Sequence, residues 1–283
     1  MAGASLAGAS LAGASLAGEG PARALRGAIA LAFALLALLL PNLARAACTP
    51  VASLKPHLWR ASTADPSLAI TFLGHASFMI ETTGGVRAVT DYSGQFGPAE
   101  PPDIVTMNRA HGMHHTLSPD PRIRHALRGW QDGPEPPRHN LLLRDMRVTN
   151  LPTNIRDFGG GTMVNGNSVF IFESAGLCVA HLGHLHHLLL PADLDALGRI
   201  DVLMIMVDGG YSLGHRDAVA LIEQIHPRLV LPMHYFSEYN LARFLSLMRE
   251  QNYAIELSDK PTIEVSRSTL PVQPTVIALP GPH

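Results

Sequence analysis

The chain has 283 residues, 47% of them hydrophobic, which suits one large α/β domain or two small ones and excludes a small module held together by disulfides. Its formal net charge of −2 excludes a globally basic nucleic-acid binder. Histidine stands out, with 15 copies, and their clustering matters more than their number.

Residues 1–46 read as an export segment. A thrice-repeated Ala-Gly-Ala-Ser-Leu opens the chain and is too rich in small residues to build a core. Arg23 and Arg26 then precede a 14-residue apolar run at 27–40, Pro41 breaks it, and Ala44-Arg45-Ala46 supplies a small-x-small cleavage site. The run is short for a membrane span. The mature protein is therefore expected to begin near Ala47, in the periplasm or outside the cell, with no stable membrane span after cleavage. A retained anchor is the competing reading; Arg45 argues against lipid attachment at Cys48. The two cysteines, Cys48 and Cys178, could pair in an oxidising compartment. Nothing in the sequence shows them close, and Cys178 lies in a buried-looking strand, so a free thiol is an equal or better expectation.

Residues 47–67 form an N-terminal mature segment, and a domain is expected over 68–266. Strands are predicted at 68–73, 77–82, 86–90 and 103–107, a short helix at 119–128, surface loop at 129–137, and strands at 140–149, 168–173 and 177–181. The rhythm then changes to alternation. A helix at 191–197 begins with proline, a buried strand covers 201–207, and an amphipathic helix at 214–225 aligns Ala218, Leu221, Ile222 and Ile225. A strand at 228–232, a helix at 238–251 and closing strands at 254–257 and 262–265 follow. The proline-rich tail, 267–283, is expected to be loose. A meandering half followed by a β-α-β-α half, packed sheet to sheet with helices outside, makes a four-layer αββα sandwich.

Four histidine-bearing segments fall where strands end, which is where open sheets place ligand sites. They are Arg109-Ala-His111-Gly-Met113-His114-His115, His181-Leu-Gly-His184-Leu-His186-His187, Pro232-Met-His234-Tyr235 and Gly74-His75-Ala76-Ser77. His75 alone is more often a packing residue than a ligand, and some of His115, His186 and His187 must face solvent. Taken together, however, clusters at separate strand ends point to a metal rather than to core packing. No glycine-rich phosphate loop or nucleophile elbow competes: Gly159-Gly-Gly161 is a weak turn signal, and Ser77 lacks the strand-to-helix context of a serine nucleophile.

These residues resemble the metallo-β-lactamase superfamily, and within it the compact hydrolases that include ascorbate-6-phosphate lactonases and phospholipase-D-like enzymes cleaving N-acylethanolamine phospholipids. The likeness runs from about Leu68 to Val265. Thr71-Phe-Leu-Gly-His-Ala-Ser-Phe matches the opening strand pair, and Asp91 an aspartate that ends the third strand. Residues 109–114 lie on a His-x-His-x-Asp-His motif, 181–184 on His-Leu-Gly-Asp, and 232–235 on the final ligand motif. The departures are specific. Arg109 and Met113 replace a histidine and the aspartate of the first motif, His184 replaces the bridging aspartate, and 151–161 offers Asn154, Arg156 and Asp157 but no histidine.

The resemblance implies a metal-dependent hydrolase of esters, lactones or phosphoesters, with a non-catalytic metal or anion binder or a metal-dependent oxidoreductase as alternatives. It implies metal ligands among His111, His114, His184 and His234, with His181 as rival to His184. His75, Asp91 and Asp208 are expected to support the ligands. Asp157 is the best free carboxylate for a base, and Arg109 could bind an anionic substrate group in the vacated metal position. One divalent transition ion, zinc first, is expected rather than two, because a neutral imidazole cannot bridge two cations as a carboxylate does. The expected partner is a small-molecule substrate, not nucleic acid.

Overall fold

The computed structural model describes residues 48, 65–96, 100–109, 111–133, 135–157 and 159–282. All of these belong to one compact unit, Ala46–His283. The expected export segment lies outside the described residues.

The first half is strand-rich for the reason its sequence suggests. β1 (Ser67–Gly74) and β2 (Ser77–Thr82) alternate buried and half-buried residues, so one face of each is apolar. They pair antiparallel, and β3 (Arg87–Val89), β4 (Ile104–Met107) and β5 (His125–Arg128) extend the sheet. β6 (Asn140–Leu143), β7 (Met146–Arg156), β8 (Thr162–Ser174) and β9 (Leu177–His181) form an antiparallel run. Then α1 (Pro191–Leu197), β10 (Val202–Met206), α2 (His215–Ile225), β11 (Leu229–Met233) and α3 (Glu238–Glu250) alternate. β12 (Ala254–Leu257), β13 (Thr262–Ser266) and β14 (Thr275–Ala278) close the chain.

Two sheets result. The six-stranded sheet runs β13-β1-β2-β3-β4-β5 and the eight-stranded sheet β12-β14-β11-β10-β9-β8-β7-β6. Their apolar faces share one core, which includes Ile70, Phe72, Phe78 and Ile80 from the first and Val148, Phe170, Phe172, Val179 and Met204 from the second. β9, β10 and β11 are buried along their whole length, as parallel strands covered on both faces must be. Helix α2 adds Ala218, Leu221 and Ile222 to this core, and α3 adds Phe244 and Met248. This is the αββα sandwich; among the described residues every helix lies between strands of the second half.

Three expectations are corrected. Residues 119–128 do not form a helix: Pro121 sits in a turn closed between Asp120 and Ile123, and the last four residues become the edge strand β5, paired parallel to β4. The tail is not loose, because β14 inserts between β11 and β12, where Val276 is fully buried. Four residues, Thr-Val-Ile-Ala, suffice for this, and the surrounding prolines hid them. Cys48 and Cys178 are joined in a disulfide with a Cα–Cα distance of 5.5 Å, so neither thiol is free. The pair ties the N-terminal segment to β9 across a sequence separation of 130 residues. Restricting so long a loop in the unfolded chain stabilises the fold by about 2–5 kcal/mol. Cys48→Ser is therefore expected to lower the melting temperature by on the order of 5–15 °C, read by scanning calorimetry under non-reducing conditions. Equal melting temperatures would show that the bond does not hold the fold.

Candidate metal centre

The two sheets bring four strand-end loops to one point. His75 sits in the β1–β2 turn, Asp91 just beyond β3, His111 and His114 after β4, and His234 immediately after β11. His75, Asp91 and His234 all adopt positive φ, at 51°, 42° and 55°. Left-handed backbone is strained for a side chain with a Cβ and collects at functional sites. The loops also lock together, for the His234 amide donates to the His75 carbonyl at 2.6 Å.

One nitrogen from each of His75, His111, His114 and His234 lies within 4.8 Å of the others. The His75 and His234 rings are 4.3 Å apart, and His111 and His114 are 4.4 Å apart. His184 stands at the edge of the group, with its ring 4.9 Å from His234 and 5.1 Å from His114. Nε2 of His75, His114 and His234 and Nδ1 of His184 are buried with no hydrogen-bond partner among the described residues. Leaving one such atom unpaired costs ~1–3 kcal/mol, so four at one point are hard to reconcile with a purely structural role. A cation with nitrogen affinity would satisfy them together.

The far sides of two rings are held by carboxylates. His114 Nδ1 donates to Asp91 at 2.6 Å, and His234 Nδ1 donates to Asp208 at 2.9 Å. A carboxylate acceptor fixes the proton on Nδ1 and turns the Nε2 lone pair towards the cluster. Asp91 is braced in turn by Asn108 Nδ2 at 2.9 Å. Burial by itself would raise the Asp91 pKa, but the His181 and His114 rings and the Asn108 hydrogen bond outweigh it and hold it at about 2. Asp208 is likewise held well below the usual carboxylate range: burial opposes this, while His234, Ser212 and the Gly210 amide favour it.

Burial pulls His75 and His184 to about 3, and the neighbouring imidazoles push in the same direction. His111 falls to about 4 for the same reasons. Neutral imidazoles are what a metal needs. The depressed values also make a prediction for metal-free protein. Between the ordinary histidine value of 6.5 and about 4, the unfolded chain takes up protons that the folded chain refuses. Stability of chelator-treated protein should therefore be full above pH 6.5 and fall steadily as pH drops through that window. Thermal melts at stepped pH would show it, and a flat profile down to pH ~4.5 would contradict it.

His181 takes no part in the cluster. It is fully buried, its Nε2 donates to the Ala76 carbonyl at 2.7 Å, and its Nδ1 accepts the Gly183 amide at 3.1 Å. The turn that separates it from His184 depends on Gly183, whose φ is +62° and whose absent Cβ would collide with the side chains of Asn108 and Asn167. Asn167 also accepts the His184 amide at 2.8 Å. His181→Ala is thus expected to keep its metal but to lose on the order of 2–3 kcal/mol of stability, whereas His184→Ala should weaken metal retention and keep the fold. Paired metal analysis and melting of the two variants would decide; full metal retention in His184→Ala would remove it from the site.

The other three histidines of these segments point elsewhere. His115 packs edge-on against Trp130 at 5.2 Å, and His186 and His187 bond the Asn154 backbone. Arg109 reaches outward to Asp132 at 3.2 Å on the surface. The Asp157 carboxylate receives the amides of Gly159 and Gly161, each at 2.8 Å, and closes its own loop. Among the described residues neither Arg109 nor Asp157 forms a hydrogen bond with the cluster. Conversely, Asn108, Asn167 and Ser212 support the site, and sequence reading passed over all three. Asn108 follows β4 directly and immediately precedes the motif, which is the one signal that could have marked it.

Sequence comparison matches residues 69–234, a stretch that begins in β1 and ends on His234, to the Beta-lactamase superfamily domain. The chain belongs to this superfamily. A UPF0173 metal-dependent hydrolase of Opitutus terrae is 25% identical over 230 residues, covering 70% of this chain and 100% of that protein. A UPF0173 metal-dependent hydrolase of Pyrobaculum arsenaticum is 25% identical over 198 residues, covering 59% and 84%. Among solved structures, a Thermotoga maritima protein of the metallo-β-lactamase superfamily, inferred to be a zinc-dependent hydrolase, superposes with a TM-score of 0.55 at 26% identity, covering 76% of this chain and all of that one. The histidine-bearing loops converge because the β1–β2 turn and the segments that follow β4 and β11 meet, as the bond between His234 and His75 shows.

Proposed function

We propose that this member of the superfamily is an exported metal-dependent hydrolase that acts on a small-molecule ester, lactone or phosphoester with one bound ion, most suitably zinc. The observation that carries the reading is the convergence of four imidazole nitrogens within 4.8 Å, two of their rings oriented by buried aspartates. The metal-dependent hydrolases to which the chain is similar support it. An all-imidazole set, with His184 where the superfamily has a bridging carboxylate, favours one ion because an imidazole nitrogen does not bridge two. When bound, the ion lowers the pKa of a coordinated water towards ~7 and polarises the oxygen of the scissile group. The chain's own contribution is orientation: the Asp91 and Asp208 carboxylates hold His114 and His234 through Nδ1, so that Nε2 of each ring is aimed inward. Burial of His75, His114 and His234 closes the far side of the cluster to water, and the half-buried His111 leaves the approach for substrate.

Export is supported by the apolar run and small-x-small site before Ala47, and by the Cys48–Cys178 disulfide, a bond that persists in oxidising compartments. Among the described residues no helix is long and apolar enough to cross a membrane.

Elemental analysis of the purified protein, with a screen of lactones, carboxylic esters and phosphodiesters with and without chelator, tests the proposal. One zinc per chain and chelator-sensitive hydrolysis are expected. Two tightly held ions would overturn the single-ion reading. Iron or copper without hydrolysis would favour an oxidoreductase, which an all-nitrogen site also suits. N-terminal sequencing of protein from the culture medium or periplasm should begin near Ala47; a mature form that starts at Met1 and stays with the membrane would overturn export.

A further inference from the structure

We propose that Tyr211 and Phe236 form a binding surface for an apolar group adjoining the scissile bond, so that the substrate carries an acyl or aryl portion rather than a wholly polar one; this rests on the metal-dependent hydrolase reading above. Phe236 lies two residues beyond His234. Its ring centroid is 5.0 Å from His234 and 5.7 Å from His75, in contact with two rings of the cluster. Tyr211 meets Phe236 edge to face at 5.5 Å. Both stay open to solvent, Phe236 at 47% and Tyr211 at 72% exposure, and Met113, on the loop between His111 and His114, is 47% exposed as well. Single exposed apolar residues are ordinary, but an aromatic pair stacked against a buried polar cluster at its mouth is a surface that a ligand would cover.

The mounting is rigid. The Asp208 carboxylate that orients His234 also accepts the amides of Gly210, Tyr211 and Ser212 and the Ser212 hydroxyl. Asn240, in the first turn of α3, donates to the Asp208 carbonyl at 2.9 Å. One carboxylate thus sets both a ligand imidazole and the loop that carries Tyr211, which fixes the aromatic pair relative to the cluster. Charge points the same way. Arg109, the cation nearest in sequence to the ligand loop, is paired with Asp132 on the surface instead of facing the cluster, so no guanidinium from that loop awaits an anionic group.

Acetohydroxamic and octanohydroxamic acids bind metals through the same head group and differ only in apolar length, which makes them suitable probes for calorimetry on purified metal-bearing protein. The octanoyl compound is expected to bind about tenfold tighter or more. In Tyr211→Ala and Phe236→Ala that ratio should fall towards one, with metal content and melting temperature retained, while Tyr211→Phe should preserve it. Equal affinities in the unmodified protein, or a ratio untouched by both alanine variants, would overturn the proposal and leave the metal centre standing. If neither hydroxamate binds metal-bearing protein, the ion offers no open position, and the hydrolase reading falls and this one with it.

Discussion

His234→Ala should empty the metal site and abolish chelator-sensitive hydrolysis while the protein remains folded. His234 combines a fully buried ring, an unpaired Nε2 facing the cluster and an Nδ1 fixed by Asp208 at 2.9 Å. Loss of an outer hydrogen-bond partner alone typically costs ~10–100-fold in metal affinity, so removal of a direct ligand should exceed that range. The fold should survive because the backbone of His234 keeps its hydrogen bond to the His75 carbonyl. Alanine at φ 55° adds some strain, so His234→Asn, a residue that tolerates left-handed backbone, is the companion variant. Elemental analysis after dialysis reads the result, and unchanged stoichiometry in both variants would remove His234 from the ligand set.

Asp91→Ala should have the second-largest effect, acting on metal affinity and stability together. Its carboxylate is fully buried and accepts both His114 Nδ1 at 2.6 Å and Asn108 Nδ2 at 2.9 Å. Alanine would strand two buried donors, at ~1–3 kcal/mol each, and release the His114 ring from its tautomer. Metal affinity should fall ~10–100-fold. Asp91→Asn keeps the left-handed backbone and one acceptor oxygen, so it should lose metal affinity with less loss of stability. That split, read by metal competition and thermal melting, separates orientation of His114 from mere packing. If Asp91→Asn holds metal as tightly as the unmodified protein, Asp91 does not set the ligand.

The sequence carried most of the secondary structure because the fold writes its elements as local periodicities. Alternation marks β1 and β2, uninterrupted apolar runs mark β10 and β11, and the helical spacing of Ala218, Leu221 and Ile222 marks α2. The 119–128 segment misled because a short, exposed edge strand has no apolar period to read, while the prolines beside it also suit the start of a helix. β14 was missed because four residues among prolines give too short a signal.

The ligand-bearing loops were legible for a related reason. Histidines at strand ends are conspicuous in sequence, and His111, His114, His184 and His234 lie together in the structure. His75 was read as a supporting residue because one histidine in a tight turn resembles many others. Its place among the clustered ring nitrogens arises only when the β1–β2 turn meets the end of β11, a contact between different sheets across 159 positions of chain.

By itself, then, the sequence determined which segments become strands and helices, the αββα order, and the loops that bear the histidines, since hydrophobic period and strand-end chemistry are properties of neighbouring residues. Only the tertiary structure decided which ring nitrogens face one another. It separated His184 from His181 through the left-handed turn at Gly183, sent Arg109 to Asp132 and Asp157 to its own loop, and joined Cys48 to Cys178. Side-chain direction and the distance between remote segments follow from how the sheets pack, and packing brings together residues whose spacing along the chain carries no record of it.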